Sequence, residues 1–177
     1  MSLVFDVDEI PEEGMSFDVS EKPEHFAISS EDGELNQDVK VTGTLKKNGK
    51  EVFFTGRILA NISVNCSRCL EPVSNQINVD VFTDYVPRES FPAIVSDTEL
   101  SKSDIDVEFY TENKIDLHQP IYDLIALSIP LVSLCSETCK GLCSQCGENL
   151  NAGPCRCGCG DTTDPRLAIL KTLKNKL

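Results

Sequence analysis

The sequence predicts an α+β protein: an antiparallel β-sheet body, two helices and a C-terminal cysteine-rich module. Three observations lead there. Strand-like alternation flanks Asn48-Gly49, two proline-opened apolar stripes have helical spacing, and the nine cysteines of the 177-residue chain are clustered.

The sheet is the clearest part. Val39, Val41, Gly43 and Leu45 alternate with Lys40, Thr42, Thr44 and Lys46, which places the apolar set on one face of a strand. Asn48-Gly49 offers two residues tolerant of positive φ, so a two-residue hairpin turn is expected there, with the return strand starting at Glu51. That strand puts Ile58, Ala60, Ile62, Val64 and Cys66 on one face and Arg57, Leu59, Asn61, Ser63 and Asn65 on the other. A third strand, roughly Val73 to Tyr85, buries Ile77, Val79 and Val81. Residues 86–103, with Pro87, Pro92 and four serines, read as a loop or insertion, and a short strand from Ile105 to Tyr110 follows.

The first helix is expected between Asp116, a capping residue, and Pro130, which stops it. Pro120 falls in its first turn, and Leu117, Ile121, Leu124, Ile125 and Ser128 share a face. The second starts at Asp164-Pro165 and aligns Leu167, Leu170, Leu173 and Leu177, with Lys171, Lys174 and Lys176 near the C-terminus, where the helix dipole favours cations. Three stretches result. Residues 1–38 are an acidic N-terminal segment with edge strands, 39–134 a β-rich body with a helix, and 135–177 the cysteine-rich module with the C-terminal helix.

The net charge of −13 is unevenly placed. Residues 1–139 hold 26 acidic and 10 basic side chains; residues 140–177 hold 3 acidic and 6 basic ones. An acidic body repels phosphate and suits a basic protein partner, whereas the basic end can approach nucleic acid. The longest apolar run, Ile121 to Leu134, is interrupted by Tyr122, Asp123, Ser128, Pro130 and Ser133, so no membrane span is expected. The N-terminus is acidic, unlike a secretory signal, which points to a reducing compartment.

In such a compartment, Cys66-x2-Cys69 followed by Cys135-x3-Cys139-x3-Cys143-x2-Cys146-x8-Cys155-x-Cys157-x-Cys159 reads as metal ligation before disulfides. Cys66 and Cys69 fall at the turn between two antiparallel strands, the usual perch of a zinc knuckle. Cys143, Cys146, Cys155 and Cys157 lie within fifteen residues and can close around one ion. Cys135 and Cys139 then partner Cys66 and Cys69, closing a loop of more than sixty residues. A competing grouping takes Cys135, Cys139, Cys143 and Cys146 together and leaves Cys66 and Cys69 with Cys155 and Cys157. Cys159 is a free thiol or a substitute for Cys157. About two zinc ions per chain follow.

Nothing points to catalysis. The chain has two histidines, His25 in the acidic stretch and His118 in the first turn of a helix, and neither neighbours a cysteine pair. Both read as ordinary surface or capping residues. No His-Glu-x-x-His, Gly-x-Ser-x-Gly or phosphate-cradling glycine loop occurs, so neither an enzyme nor a small-molecule substrate is expected.

Several motifs stand in a recognisable order: Cys66-Ser67-Arg68-Cys69-Leu70-Glu71-Pro72-Val73, Ile115-Asp116-Leu117, Leu127-Ser128-Ile129-Pro130, Leu134-Cys135, Cys139-Lys140-Gly141-Leu142-Cys143, Cys146-Gly147, Asn149-Leu150-Asn151, Cys155-Arg156-Cys157 and Asp164-Pro165-Arg166-Leu167. Together they resemble the YceD family, the large ribosomal RNA subunit accumulation proteins of bacteria and plastids, from about Val39 to the C-terminus. Cys159 is extra to the pattern. The resemblance implies a part in accumulation of large-subunit ribosomal RNA and ribosome biogenesis, in the bacterial cytoplasm or a plastid, with no known enzymatic activity. Joined to the charge pattern, it suggests a zinc-stapled adaptor. The acidic body would hold a basic ribosomal protein or assembly factor, and Arg68, Lys140, Arg156, Arg166, Lys171, Lys174 and Lys176 would face large-subunit RNA. Two alternatives remain open: a thiol-based redox or zinc-sensing regulator, in which oxidation at Cys157 or Cys159 ejects metal, and a structural zinc module within a larger assembly.

Overall fold

The computed structural model describes residues 3–26, 28–29, 33–90 and 107–157. In chain order they form β1 (Val4–Asp6), β2 (Met15–Glu21), β3 (Glu34–Leu35), β4 (Val39–Asn48), β5 (Glu51–Asn65), β6 (Pro72–Pro87), β7 (Val107–Tyr110), β8 (Lys114–Asp116) and one α-helix, α1 (His118–Leu127). The described residues are therefore mostly β-sheet with one helix. The second helix expected from Asp164-Pro165, most of the expected loop at 86–103 and Cys159 lie outside them.

The central hairpin follows the period-two pattern. Val39, Val41 and Leu45 of β4 and Val52, Phe54, Ile58 and Ile62 of β5 are fully buried, while Lys40, Lys46, Arg57 and Leu59 face solvent. The turn sits one residue later than expected. Asn48 pairs with Glu51 as the last rung of the ladder, so Gly49 and Lys50 form the loop. Gly49 takes φ 64° and Lys50 does not enter the left-handed region, the signature of a type II′ turn, which needs glycine at its first central position.

The main sheet runs β2-β4-β5-β6-β7, with β3 also pairing β5. The β5–β6 ladder extends from Val52↔Tyr85 to Asn65↔Pro72, the longest strand pair of the sheet, an arm of roughly 45 Å at 3.4 Å per residue that β4 flanks along its first half. At its base, Gly43 and Gly56 face each other across β4 and β5. A Cβ on Gly56 would lie 2.5 Å from the Thr42 carbonyl, and one on Gly43 would lie 2.6 Å from the Phe54 ring. That clearance lets the Phe54 ring, which stacks on Phe17 at 5.8 Å, lie over the glycine pair.

The expected all-antiparallel sheet needs a correction at its edge, because β7 runs parallel to β6 (Asp84↔Val107 to Pro87↔Tyr110). A parallel neighbour requires a long return connection, and β6 and β7 are separated in the sequence by residues 88–106. The acidic N-terminal stretch contributes β2 as an edge strand along β4. Its Leu3, Val7, Ile10, Val19 and Phe26 are buried in one cluster with Val41, Ile58 and Ile121. Helix α1 closes that cluster with Ile121 and Ile125, and Leu117 just before it joins them, each fully buried. The N-cap position falls on Leu117 and not on Asp116, and carries no side-chain cap bond; Asp116, one residue earlier at the end of β8, accepts the His118 backbone N–H with Oδ1 at 2.9 Å. At the other end Ser128 Oγ donates to the Leu124 carbonyl at 2.6 Å, two residues before Pro130. Among the described residues no helix is long and apolar enough to cross a membrane.

Candidate metal centres

The arm formed by β5 and β6 ends in a tight six-residue turn, Cys66 to Glu71. The Cys66 N–H donates to the Glu71 carbonyl at 2.8 Å and the Leu70 N–H to the Cys66 carbonyl at 2.9 Å, so the chain doubles back and both sulfurs face the same spot. Closing the turn puts Leu70 at φ 62°, unusual for a branched residue. The chain leaving α1 then docks on this turn. Ser67 N–H donates to the Ser133 carbonyl at 2.8 Å, and Ser133 N–H to Ser67 Oγ at 3.3 Å. The Cys135 N–H points at the Cys66 sulfur at 3.4 Å.

A second turn repeats the first. Cys143 N–H donates to the Glu148 carbonyl at 2.8 Å, Gly147 N–H to the Cys143 carbonyl at 2.9 Å, and Gly147 takes φ 73°. The two turns are joined. Leu142 N–H donates to the Arg68 carbonyl at 3.1 Å, and Arg68 Nη1 donates back to the carbonyls of Cys139 at 3.0 Å and Glu137 at 3.3 Å. Gly141 is required at the crossing. Its φ is 76°, and a Cβ would sit 3.1 Å from the Arg68 carbonyl.

These bonds gather the sulfurs into two sets, Cys66, Cys69, Cys135 and Cys139, and Cys143, Cys146, Cys155 and Cys157, each with its four ligand atoms within 4.8 Å of one another. This is the favoured grouping of the sequence reading, and the competing one does not form. The close contacts are 3.8 Å for Cys66–Cys139, 3.6 Å for Cys69–Cys135, 3.6 Å for Cys143–Cys157, 3.5 Å for Cys143–Cys155 and 3.4 Å for Cys155–Cys157. A disulfide would need about 2.05 Å. Four sulfurs each about 2.3 Å from a tetrahedral ion lie about 3.8 Å apart, so both sets fit a metal with little adjustment. The first is mostly buried, with Cys66, Cys69 and Cys139 packed beside Val73, Leu134 and Leu142 and only Cys135 exposed. The second is open, with Cys146 and Cys157 exposed.

Electrostatics support ligation. The backbone N–H groups of Arg68 and Cys135 aim at Cys66 and lower its thiol to about 6. The Asn151 amide, with Nδ2 at 3.3 Å from the Cys139 sulfur, lowers that thiol too. Cys135, crowded by Cys139 and Cys69, is pushed up to about 12. Four sulfurs this close cannot all ionise without a cation among them, and a divalent ion removes that conflict.

Arg68, Lys140 and Arg156, three of the expected basic contacts, are exposed on or near the two turns, and Arg68 also braces one turn against the other. Arg166, Lys171, Lys174 and Lys176 lie outside the described residues. Sequence reasoning gave Asn151 no role. It reaches from the loop of the second set to a sulfur of the first, and its Oδ1 accepts the Lys140 N–H at 2.8 Å. The only sequence sign of it was its place in the Asn149-Leu150-Asn151 motif.

Fold and site together define a β-sheet protein whose longest arm ends in two adjoining four-cysteine centres, each able to hold a metal ion. The chain belongs to the YceD family: the family model described as large ribosomal RNA subunit accumulation protein YceD matches residues 54–174. It is 30% identical over 141 residues to the chloroplastic large ribosomal RNA subunit accumulation protein YCED homolog 1 of Arabidopsis thaliana, covering 68% of this chain and 44% of that protein. The homolog of the same name in Zea mays is 29% identical over 124 residues, covering 58% of this chain and 42% of that protein. An uncharacterised protein of Mycobacterium tuberculosis is 34% identical over 103 residues, covering 58% and 47%. The chain thus spans about half the length of the curated relatives it matches. No solved structure matches it.

Proposed function

We propose that this chain is a non-enzymatic zinc-binding factor that supports accumulation of large-subunit ribosomal RNA during ribosome biogenesis, in the bacterial cytoplasm or a plastid. The observation that carries the reading is the convergence of eight cysteines into two four-sulfur sets at one end of the sheet. All-thiolate tetrahedral sites select zinc or iron–sulfur chemistry, and two pairs at knuckle spacing, each closed by a backbone turn, favour zinc. Zinc here has a structural task. It fixes the chain after α1, and through Arg68 and Asn149 the second turn, onto the arm; Asn149 Nδ2 donates to Glu71 Oε1 at 3.2 Å.

That staple joins an acidic body to a basic end, as an adaptor requires. The body would hold a basic ribosomal protein or assembly factor, and Lys140, Arg156, Arg166, Lys171, Lys174 and Lys176, with Arg68, would face large-subunit RNA. The relatives' names support the ribosomal setting. The test is affinity purification of the tagged chain from its native host, scored for large-subunit ribosomal proteins and pre-ribosomal particles. Enrichment that disappears in Cys66→Ser/Cys139→Ser is the expected result. Absence of large-subunit components from the wild-type eluate would refute the reading.

A further inference from the structure

The chain's two histidines, which the sequence placed apart as surface or capping residues, meet in the fold. His25 lies in the 3₁₀ turn Pro23–His25 after β2, and His118 opens α1; their rings are 6.3 Å apart and inclined at 73°. Beside them is Glu21, the last residue of β2, only 6% exposed. Its Oε2 is 2.6 Å from His25 Nδ1. Glu21, His25 and His118 each offer a ligand atom, and these lie within 4.8 Å of one another. We propose that these three side chains form a third metal site, for a divalent first-row transition ion such as zinc, which pins the N-terminal strand β2 to helix α1.

Three features argue for this. The donor set is two imidazoles and one carboxylate, a combination suited to such ions and unlike the all-sulfur centres at the far end of the arm. His118 is already oriented for ligation. Its Nδ1 donates to Asp116 Oδ1 at 2.6 Å, which fixes the ring and leaves Nε2 as the free donor, the carboxylate–histidine–metal arrangement that raises ligand basicity. Phe26, buried, sits 6.1 Å from the His118 ring and excludes water from one side.

The geometry needs a modest adjustment. Nitrogen and oxygen donors about 2.1 Å from a tetrahedral ion lie about 3.4 Å apart. The 2.6 Å contact between His25 and Glu21 opens to admit the ion, and His25, whose side chain is 49% exposed, has room for that movement. In the metal-free chain His25 Nδ1 and Glu21 Oε2 are hydrogen-bonded to each other at 2.6 Å; a cation takes the place of that bond and draws in His118 as well. Three protein ligands leave one position for water. The site is remote in sequence from the cysteines and does not depend on the ribosomal reading.

The test is a zinc titration of the full chain with both cysteine centres already loaded, followed by calorimetry and by long-range ¹H–¹⁵N correlation of the imidazoles. With only two histidines in the chain, two ring spectra are seen, and each is assigned by one variant. The expected result is a saturable third equivalent that shifts a ring nitrogen of both histidines. His25→Asn and His118→Asn should each weaken that equivalent at least about ten-fold while the two thiolate-held ions stay bound, and Asp116→Asn should weaken it less. A titration that stops at two equivalents, or a third equivalent that survives in both histidine variants, overturns the proposal. Should a variant lose its folded circular dichroism, the wild-type ring nitrogens decide: unshifted by zinc, they overturn it; shifted, they support it.

Discussion

Leu70 and Gly147 occupy the same place in two separate turns: each follows the second cysteine of a Cys-x2-Cys pair, donates its N–H to the carbonyl of the first cysteine, and takes left-handed backbone, with φ 62° and 73°. Glycine adopts that conformation freely, whereas a side chain with a Cβ is penalised by about 1–2 kcal/mol.

Leu70 is 61% exposed, so its side chain contributes little packing to offset that penalty. Leu70→Gly is expected to stabilise the metal-loaded protein by several tenths of a kcal/mol to about 1 kcal/mol, after allowing for the greater chain entropy of glycine. The opposite change has the opposite sign. Nothing lies within 4 Å of a Cβ built on Gly147, so Gly147→Ala should cost about 1 kcal/mol through φ alone. Denaturant unfolding with excess zinc measures both.

Asn151 should act on the centre to which it contributes no ligand. Its Nδ2 donates to the Cys139 sulfur at 3.3 Å although its backbone belongs to the loop of the second set. Asn151→Ala should lower metal affinity at the first centre by roughly ten-fold, the usual effect of losing a hydrogen bond to a ligand, while stoichiometry stays unchanged. Chelator competition on the full chain distinguishes this from a local effect on the second centre.

Much of this was legible in the sequence, and the limits have physical reasons. The β4–β5 hairpin and the Cys66–Cys69 turn could be read because one buried face imposes a period of two, and strand ends follow from it. Pairing of Cys135 and Cys139 with Cys66 and Cys69 was reachable through ligand spacing. The parallel docking of β7 on β6 was not, since a strand's own pattern does not state its neighbour or direction. Nor was Leu70 in a glycine conformation, because leucine carries no turn signal. The meeting of His25 and His118, 93 residues apart, depends on how β2 and α1 pack and leaves no local trace.

The Gly43–Gly56 pair should tolerate no side chain. A Cβ on Gly56 would fall 2.5 Å from the Thr42 carbonyl and 3.0 Å from the Phe54 ring, and neither the backbone nor the packed ring can withdraw cheaply. Gly56→Ala is expected to cost about 1–3 kcal/mol, as overpacking does. The thermal midpoint should fall accordingly, and an unchanged midpoint would show that Phe54 can move.

The pH dependence of the metal-free chain follows from Cys66. Its thiol, lowered from 9.0 to about 6 by the N–H groups of Arg68 and Cys135, favours the folded state as thiolate. That contribution is complete above the unfolded value of 9.0, shrinks below it, and is gone once the pH has fallen through about 6. Thiolate absorbance near 240 nm should show a step near pH 6 that Cys66→Ser removes. A first step only near the ordinary thiol value would contradict it.

X-ray absorption at the zinc K-edge, on protein purified without chelator and holding two zinc ions per chain, addresses the sulfur centres most directly. Four sulfur neighbours at about 2.3 Å around each ion are expected, with no lighter scatterer in the inner sphere. Nitrogen or oxygen ligands at those two ions, or chains that purify with cysteines 66, 69, 135 and 139 in disulfides and no zinc, would contradict the metal staple on which the proposed adaptor is built.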